Sequence, residues 1–307
     1  MKKVGFVYDD VFLLHEMPPG HPESKDRLIA INNALKQSPL WKAMRHLKPR
    51  KAEEDDILAV HTASYFSEIL HFTGYFDPDT YVSLHSVEAA LFAAGAVIGA
   101  VDECKAGEIE RAFCAVRPPG HHAEADRAMG FCIFNNVAVG ARHAQKIGYG
   151  KVFIIDFDVH HGNGTQHIFE KDNSVFYFST HQYPHYPGTG KDSESGVGNG
   201  QGFTYNIPMH HGAGDKDYFH AYQDILPGLI RRFEPDIVLV SAGYDLHAGD
   251  PLAGIRVTDE GILTIVKAIL TSKKGVPYVF CLEGGYNLSS LSASVLLTVN
   301  ELLSTDS

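Results

Sequence analysis

The chain has 307 residues, with 26 lysine and arginine residues against 37 aspartate and glutamate residues, for a formal net charge of −11. This length allows one large α/β domain or two small ones, and the acidic balance argues against non-specific nucleic-acid binding, which needs clustered basic side chains. Four scattered cysteines without a CxxC pair favour a reduced compartment. The longest nearly apolar run, 89–101, is too short to cross a membrane, so we expect a soluble cytoplasmic protein.

Short β-branched and aromatic runs alternate with helical patterns along the chain. The runs predict strands at 4–8, 112–116, 152–157, 175–179, 237–241 and 276–282. Helical periodicity predicts helices at about 24–37, 86–104, 134–147, 217–233, 258–272 and 288–303. Near-continuous apolar strands that alternate with helices are typical of a mostly parallel sheet covered on both faces. Since no linker or repeat divides the chain, we predict a single domain over residues 1–307.

Five of the predicted strands run into polar, glycine-rich segments with chemically capable side chains. In chain order these segments read RPPGHH, DVHHGNG, THQYPHYPGTG, AGYDLHAGDP and EGGYN. Ligands of open parallel sheets bind beyond the carboxyl ends of the strands, so we predict that the five segments converge on one site. The stretch 184–202, rich in glycine, serine and proline, is predicted to be a long functional loop.

Two metal-ligand side chains, Asp158 and His160, follow the third predicted strand. At a spacing of two residues they point to the same side of an extended chain, and Asp245 can add a third ligand from another strand end. One imidazole and two carboxylates leave coordination positions open, as a catalytic zinc requires. The same ligand set also accepts Fe²⁺. The alternative, that these are ordinary loop residues, is disfavoured by the other four segments.

Adjacent histidines follow the rigid PPG turn at His121 and His122. Their side chains suit general acid and base chemistry because the imidazole pKa lies near neutrality. Another adjacent pair, His210 and His211, lies in a polar turn before a predicted helix, and we interpret it as a solvated loop. There is no GxSxG motif, so nucleophilic serine chemistry is not supported.

Four ordered motifs resemble those of the zinc-dependent histone deacetylases, especially the class II type. They are RPPGHHAEADRAMGFCIFNNVAVGARHAQ, DFDVHHGNGTQHIF, SAGYDLHAGDPLAG and LEGGYNL. That superfamily includes bacterial acetylpolyamine amidohydrolases and acetoin-utilisation proteins. The resemblance implies an arginase-like three-layer α/β fold with a central parallel sheet of about eight strands. It also implies hydrolytic removal of acetyl or related acyl groups from the lysine side-chain amine or a similar N-acylated amine.

The resemblance implies a role for each matching residue. The implied zinc ligands are Asp158, His160 and Asp245. The implied catalytic residues are His121, His122 and Tyr286, with Asp156 and Asn163 orienting the first and second histidine. The implied substrate-binding residues are Gly130 through its carbonyl, Phe131 and Tyr186 as tunnel walls, and Leu252 in the GDPxG segment. A structural potassium ion is implied at the backbone oxygens of Asp156, Asp158, His160 and Thr180 and the hydroxyl of Ser179.

The neutral partner of the second histidine leads to a hypothesis about roles. Asp156 favours the imidazolium form of His121, whereas Asn163 gives His122 no such stabilisation. We therefore expect His122 to be the neutral general base and His121 to act mainly through its charge. Two other functions stay open: an acetylpolyamine amidohydrolase, disfavoured by the neutral Leu252, and a non-catalytic acyl-ligand-binding module, disfavoured by the complete set of competent residues.

Several further residues receive secondary interpretations. His15, Glu16 and His21 are interpreted as pocket rim or loop residues, with a second metal site as the alternative. Arg27 either lines an internal acetate-release channel, as a similarly placed family arginine does, or lies on a helix surface. His161 is expected to support the ligand loop, and Cys132 to lie in the core beside the pocket.

Overall fold

The structure, a computed structural model, describes residues 4–304, in which strands and helices alternate. The strands are β1 (Val4–Val7), β2 (Arg45–Leu47), β3 (Gly74–Tyr75), β4 (Tyr81–Val82), β5 (Arg111–Cys114), β6 (Val152–Asp156), β7 (Val175–Gln182), β8 (Thr204–Met209), β9 (Ile237–Ala242) and β10 (Tyr278–Leu282). Eight of them form one sheet in the order β2-β1-β5-β10-β9-β6-β7-β8, with every neighbouring pair parallel. β3 and β4 form a separate antiparallel hairpin. The predicted parallel sheet of about eight strands is confirmed.

The helices of the described chain end within two residues of the predicted limits wherever a helix was expected. They are α1 (Asp26–Gln37), α2 (Leu40–Ala43), α3 (Glu54–Leu58), α4 (Ala63–Ile69), α5 (Ser86–Lys105), α6 (Asn136–Lys146), α7 (Asn163–Phe169), α8 (Asp215–Phe219), α9 (Leu226–Phe233), α10 (Asp259–Thr271) and α11 (Leu288–Ser304). A π-helical segment, His220–Ile225, joins α8 to α9.

The central strands are covered on both faces. Every residue of β5, β6, β7, β9 and β10 is buried, and successive side chains of a strand point to opposite faces. Two helix groups supply the cover: α5 packs against α6, while α1 and α10 each pack against α11. The result is the three-layer α/β arrangement that the sequence predicts.

Helix α5 packs closely because it is rich in small residues. Its residues from 89 to 101 are almost all buried, which confirms that this apolar run is a core helix. Gly95 faces the chain at Arg50 so closely that a Cβ atom there would overlap the Arg50 carbonyl oxygen. Gly99, one turn further on, has nothing within 4 Å of the position its Cβ would take.

The six predicted strands omitted β2 and β8, which lie at the two edges of the sheet. Several side chains of both edge strands are half-buried or exposed. Their sequences, RHL and TYNIPM, therefore lack the apolar run by which a strand is predicted. Pro208 within β8 is tolerated because an edge strand needs hydrogen bonds on one side only.

Candidate active site

The loops after β5, β6, β7, β9 and β10 meet in one cavity of about 230 Å³. The cavity is lined by Asp79, Pro119, His121, His122, Gly130, Phe131, His160, His185, Tyr186, Leu252, Gly284 and Tyr286. The predicted convergence of the five strand ends is therefore confirmed. Asp79 comes from the β3–β4 hairpin, for which no contact with the site was predicted.

Asp158, His160 and Asp245 form a group that fits a metal ion. One ligand atom from each side chain lies within 4.8 Å of the others, and both carboxylates are 1% exposed. Asp245 Oδ2 is buried and lies 3.2 Å from His160 Nδ1, but no contact within residues 4–304 gives it a well-formed hydrogen bond. An unsatisfied buried carboxylate oxygen is costly, and a bound cation would satisfy it. The donor set of one nitrogen and two carboxylates suits zinc with open positions.

Backbone groups hold the two carboxylates in place. The amide of Gly284 donates to Asp158 Oδ2 at 2.8 Å, and the amide of Val159 donates to Asp245 Oδ1 at 3.0 Å. Gly284 must lack a side chain because its Cβ would overlap Asp245 Oδ2. The first glycine of the EGGYN segment thus lets the loop after β10 approach the metal group directly.

The two tandem histidines have the partners that the sequence predicts. His121 Nδ1 lies 3.1 Å from Asp156 Oδ2, and His122 Nδ1 lies 2.8 Å from Asn163 Oδ1. Burial alone would lower the pKa of His121, but the carboxylates of Asp158 and Asp156 outweigh it and raise that pKa to about 10. Burial and the charge of His121 hold the pKa of His122 well below its usual value. The pair is therefore electrically asymmetric.

A buried carboxylate fixes the turn that carries this pair. Glu283 Oε2 accepts hydrogen bonds from the amides of Gly120 at 2.6 Å and His121 at 3.2 Å. Its other oxygen accepts from the Ser241 hydroxyl at 3.0 Å. Burial raises the pKa of Glu283 to about 7. Glu283 lies in the LEGGYNL motif but had no predicted role.

Tyr286 is held beside the metal group by contacts on both sides. Its amide donates to Asp250 Oδ2 at 2.6 Å, and the Arg27 guanidinium lies 5.0 Å from its ring centroid. Arg27 also donates to the Gly285 and Glu283 carbonyls at 2.6 and 2.5 Å. Arg27 is fully buried, so its interpretation as a surface residue is wrong. Burial raises the pKa of Tyr286 well above its usual value, which keeps the hydroxyl protonated as a donor.

Aromatic residues form the cavity walls. Phe131 has a left-handed backbone, with φ of 69°, and its backbone N–H donates a hydrogen bond to Thr80 Oγ1 at 3.1 Å that helps to hold this conformation. Its ring lies edge-on to His21 at 4.7 Å and Tyr286 at 5.9 Å. Opposite it, the Tyr186 ring lies edge-on to His122 at 5.1 Å. The structure therefore brings both predicted wall residues to the pocket.

Besides Pro119 and Gly284, two lining residues had no predicted role in the site. His185 stacks on His160 at 5.2 Å, and its Nε2 donates to the Leu252 carbonyl at 3.2 Å, which ties the loop after β7 to the loop after β9. Asp79 lies at the pocket with its pKa raised to about 6 by burial and by the neighbouring Asp77. The acidic pair in FDPDT was the only sequence signal for this residue.

The three residues that were interpreted as pocket rim or loop residues differ in burial. His21 packs on the Phe131 wall, as a rim residue should, and the Glu16 side chain is 71% exposed. His15 lies in a loop but is only 1% exposed, with Nε2 3.4 Å from Glu23 Oε2 and Nδ1 2.7 Å from Ser86 Oγ, so its placement at the rim is wrong.

Other predicted residues lie where expected. His161 bonds Thr189 Oγ1 at 2.8 Å and Gln166 Oε1 at 2.9 Å, and thereby ties the loop after β6 to the loop after β7. Cys132 is buried, and the pair His210–His211 is exposed. Gly130 faces the His122 ring so closely that a Cβ would lie 2.5 Å from it.

Comparison with known proteins assigns the chain to a family. Residues 21–302 match the Histone deacetylase domain family. The chain is 41% identical over 328 residues to Histone deacetylase 14, chloroplastic, of Arabidopsis thaliana, covering 98% of this chain and 77% of that one. It is 38% identical over 292 residues to a Probable deacetylase of Archaeoglobus fulgidus, covering 92% and 81%. It is 38% identical over 309 residues to Polyamine deacetylase HDAC10 of Homo sapiens, covering 95% and 46%.

Comparison with a solved structure supports the same family assignment. A crystal structure of the HDA15 HD domain superposes with a TM-score of 0.94 at 38% identity, covering 98% of this chain and 91% of that one. The chain belongs to the histone deacetylase family, which supports a deacetylase function and confirms the resemblance of its motifs. It spans about half the length of some relatives, such as 49% of Histone deacetylase 5 of Arabidopsis thaliana. None of the helices in residues 4–304 combines the length and apolar character that a membrane span requires.

Proposed function

We propose that this protein is a zinc-dependent amide hydrolase that removes acetyl or related acyl groups from the lysine side-chain amine or a similar N-acylated amine. The observation that carries the proposal is one cavity lined by two tandem histidines, a tyrosine and the histidine of a buried Asp-His-Asp group. The deacetylase names of its relatives support the same class of reaction. The proposed domain covers residues 1–307, of which 1–3 and 305–307 lie outside the described residues.

Zinc bound by Asp158, His160 and Asp245 would supply Lewis acidity, polarising an amide carbonyl and acidifying water. A potassium ion is proposed nearby, as the family resemblance implies. Its ligands would be the backbone oxygens of Asp156, Asp158, His160 and Thr180 and the hydroxyl of Ser179. In the structure Ser179 and Thr180 are fully buried at the middle of β7, next to β6.

The chain's own residues would manage the protons. His122 bonds Asn163 through Nδ1, so its Nε2 is left to accept a proton from the attacking water. The cationic His121 stabilises negative charge that develops on the substrate. The Tyr286 hydroxyl donates a hydrogen bond to the carbonyl oxygen as it becomes an oxyanion. His122 then returns that proton to the departing nitrogen, so that the C–N bond breaks and a free amine and a carboxylate are released.

The cavity walls would hold the acyl-bearing chain. Phe131 and Tyr186 provide apolar surfaces for a methylene chain, and the Gly130 carbonyl is a hydrogen-bond acceptor for the substrate amide. Leu252 adds an apolar edge at the same opening. An extended aliphatic amine such as lysine fits this lining better than a branched or charged group near the reacting amide.

A second candidate substrate is an acetylpolyamine. The neutral Leu252 disfavours it, but Asp79 places a half-buried carboxylate at the pocket that could pair with an ammonium group. One relative is named a polyamine deacetylase. Cytoplasmic location stays a prediction, and one relative is named as chloroplastic.

The experiment is a hydrolysis panel of acetyl-lysine, longer acyl-lysine and trifluoroacetyl-lysine peptides against acetylpolyamines, with and without a chelator. We expect chelator-sensitive release of acetate with kcat/KM highest for an acyl-lysine peptide. A clear preference for acetylpolyamines would reverse the substrate ranking. Binding of acylated ligands without any turnover would instead support a non-catalytic module.

A further inference from the structure

A chain of hydrogen bonds runs from His122 in the pocket to the protein surface. Asn163 accepts from His122 Nδ1 at 2.8 Å, and its own Nδ2 donates to Glu124 Oε1 at 2.6 Å. The same carboxylate oxygen lies 2.8 Å from His167 Nδ1. Exposure rises along the chain, from 2% for Asn163 to 10% for the Glu124 side chain and 41% for the His167 side chain.

The carboxylate of Glu124 determines which end of the Asn163 amide faces His122. An ionised carboxylate only accepts hydrogen bonds, so it can bind Nδ2 of Asn163 and not Oδ1. The His122 carbonyl at 3.3 Å and the Met129 sulfur at 3.3 Å also accept from Nδ2. With three acceptors around Nδ2, Oδ1 is the atom left to face the imidazole. His122 must then carry its proton on Nδ1 and keep Nε2 free.

The charges around this chain keep Glu124 ionised. Burial alone would raise the pKa of Glu124, but its bonds to His167 and Asn163 hold that pKa below its usual range, and Arg127 adds a smaller effect in the same direction. The bond to Glu124 raises the pKa of His167, to which Glu170 and Glu194 also contribute. The outer pair is thus a stable anchor for the inner amide.

We propose that Glu124 is a positioning residue that fixes the Asn163 amide and thereby selects the His122 tautomer whose Nε2 can accept a proton, with His167 anchoring Glu124 at the surface. The role of that nitrogen as a base rests on the proposed function. The hydrogen-bond chain itself does not.

The first test compares an acceptor-preserving variant with acceptor-deleting ones in the zinc-loaded full chain. Glu124→Gln keeps an oxygen for Asn163 Nδ2, whereas Glu124→Leu and Glu124→Ala remove it. We expect kcat to fall roughly 10–100-fold in the Leu and Ala variants, and to stay within about fivefold of wild type in the Gln variant. Both acceptor-deleting variants are made so that the test can still be read if one of them fails to fold.

The matched control is Asp102→Asn. Asp102 also bonds a partly exposed histidine, with Asp102 Oδ1 lying 2.6 Å from His143 Nε2, but that pair joins α5 to α6 away from the pocket. We expect its kcat to be unchanged. In an Asn163→Ala background, Glu124→Ala should lower kcat less than about twofold further, because its effect passes through Asn163.

The second readout does not need activity. Long-range ¹H–¹⁵N NMR of histidine-labelled protein, assigned with His122→Gln, should show His122 protonated on Nδ1 in wild type and Glu124→Gln, and on Nε2 in Glu124→Ala. Wild-type kcat in the folded Ala variant, or an unchanged tautomer there, would overturn the inference. So would a Gln variant as slow as Ala with normal zinc content and Tm. Inactive wild type with the expected tautomers would contradict the proposed function alone.

Discussion

His121 and His122 are adjacent in sequence but have chemically different partners. Asp156 is a carboxylate, whereas Asn163 is an amide whose nitrogen is bound by Glu124. The carboxylates of Asp158 and Asp156 favour the charged form of the first ring, whereas burial and the charge of His121 favour the neutral form of the second. A charged group and a base are thus available side by side, with ring centroids 4.0 Å apart.

Replacing Asn163 with Asp tests this asymmetry. A carboxylate beside His122 favours the imidazolium, so the pKa of His122 rises and the neutral base is populated only at higher pH. We expect the acidic limb of the kcat/KM profile to move to higher pH. The new carboxylate would lie beside that of Glu124, and their repulsion would favour protonation of one of them. Adding Glu124→Gln removes this repulsion, so the double variant should show the larger shift of the acidic limb. An acidic limb that stays in place in both variants would contradict the assignment of His122 as the base.

Tyr286→Phe removes one hydroxyl from the wall of the cavity. If that hydroxyl stabilises the oxyanion, kcat should fall by at least about 100-fold. Zinc content should be unchanged because Tyr286 is not in the metal group. Steady-state kinetics with metal analysis of the same sample measures both. Turnover close to wild type would exclude the oxyanion role.

At the scale of elements, the loop before α1 is tied to the sheet by a buried ion cluster. Glu23 accepts from Arg27 at 2.9 Å and from Arg117 at 2.6 and 2.7 Å, and all three side chains are fully buried. Burial alone would raise the pKa of Glu23, but Arg117 and His15 hold it well below its usual value. The cluster therefore connects the segment before α1 to the start of the RPPGHH loop, which carries His121 and His122.

Glu23→Gln should lower the free energy of unfolding by about 3–5 kcal/mol, because two buried guanidinium groups lose their shared carboxylate. Since the folded pKa of Glu23 is depressed, its stabilisation is present above about pH 4.3 and is lost as the pH falls towards the folded value. Denaturant unfolding at several pH values measures this. Glu16→Gln, at an exposed pair 3.8 Å from Lys25, is the control and should change stability by less than about 1 kcal/mol. Equal effects of the two substitutions would contradict the account.

Helix α5 offers a matched pair of glycines. Gly95→Ala should destabilise the protein by about 1–3 kcal/mol, because the added methyl overlaps the Arg50 carbonyl oxygen. Gly99→Ala has open space and should gain up to about 1 kcal/mol from helix propensity. Thermal unfolding of the two variants measures the difference. A Gly95→Ala protein as stable as wild type would mean that α5 can move away from the 50–52 segment.

At the scale of the whole molecule, the parts that sequence predicts are those with local patterns. Apolar runs mark the central strands, and the spacing of Asp158 and His160 marks the metal group. β2 and β8 were missed because edge strands are only partly buried. The burial of Arg27 follows from bonds to Glu283 and Gly285, more than 250 positions away, and no local pattern encodes such a contact.

The same limit applies inside the site. Asn163 was recognised as the partner of His122, but Glu124 and His167 were not, although all lie within or near recognised motifs. Asp79 reaches the pocket from a two-stranded hairpin outside the main sheet. Residues that act through another residue form no recognisable sequence motif. Their contacts become visible only in the folded structure.

A zinc titration of chelator-treated protein tests the central claim most directly. Amide hydrolysis should be absent after chelation and should return in proportion to added zinc, reaching its maximum at about one ion per chain. Asp245→Asn should bind zinc at least about tenfold more weakly and recover little activity. Full hydrolysis by metal-free protein, confirmed by metal analysis, would contradict the account.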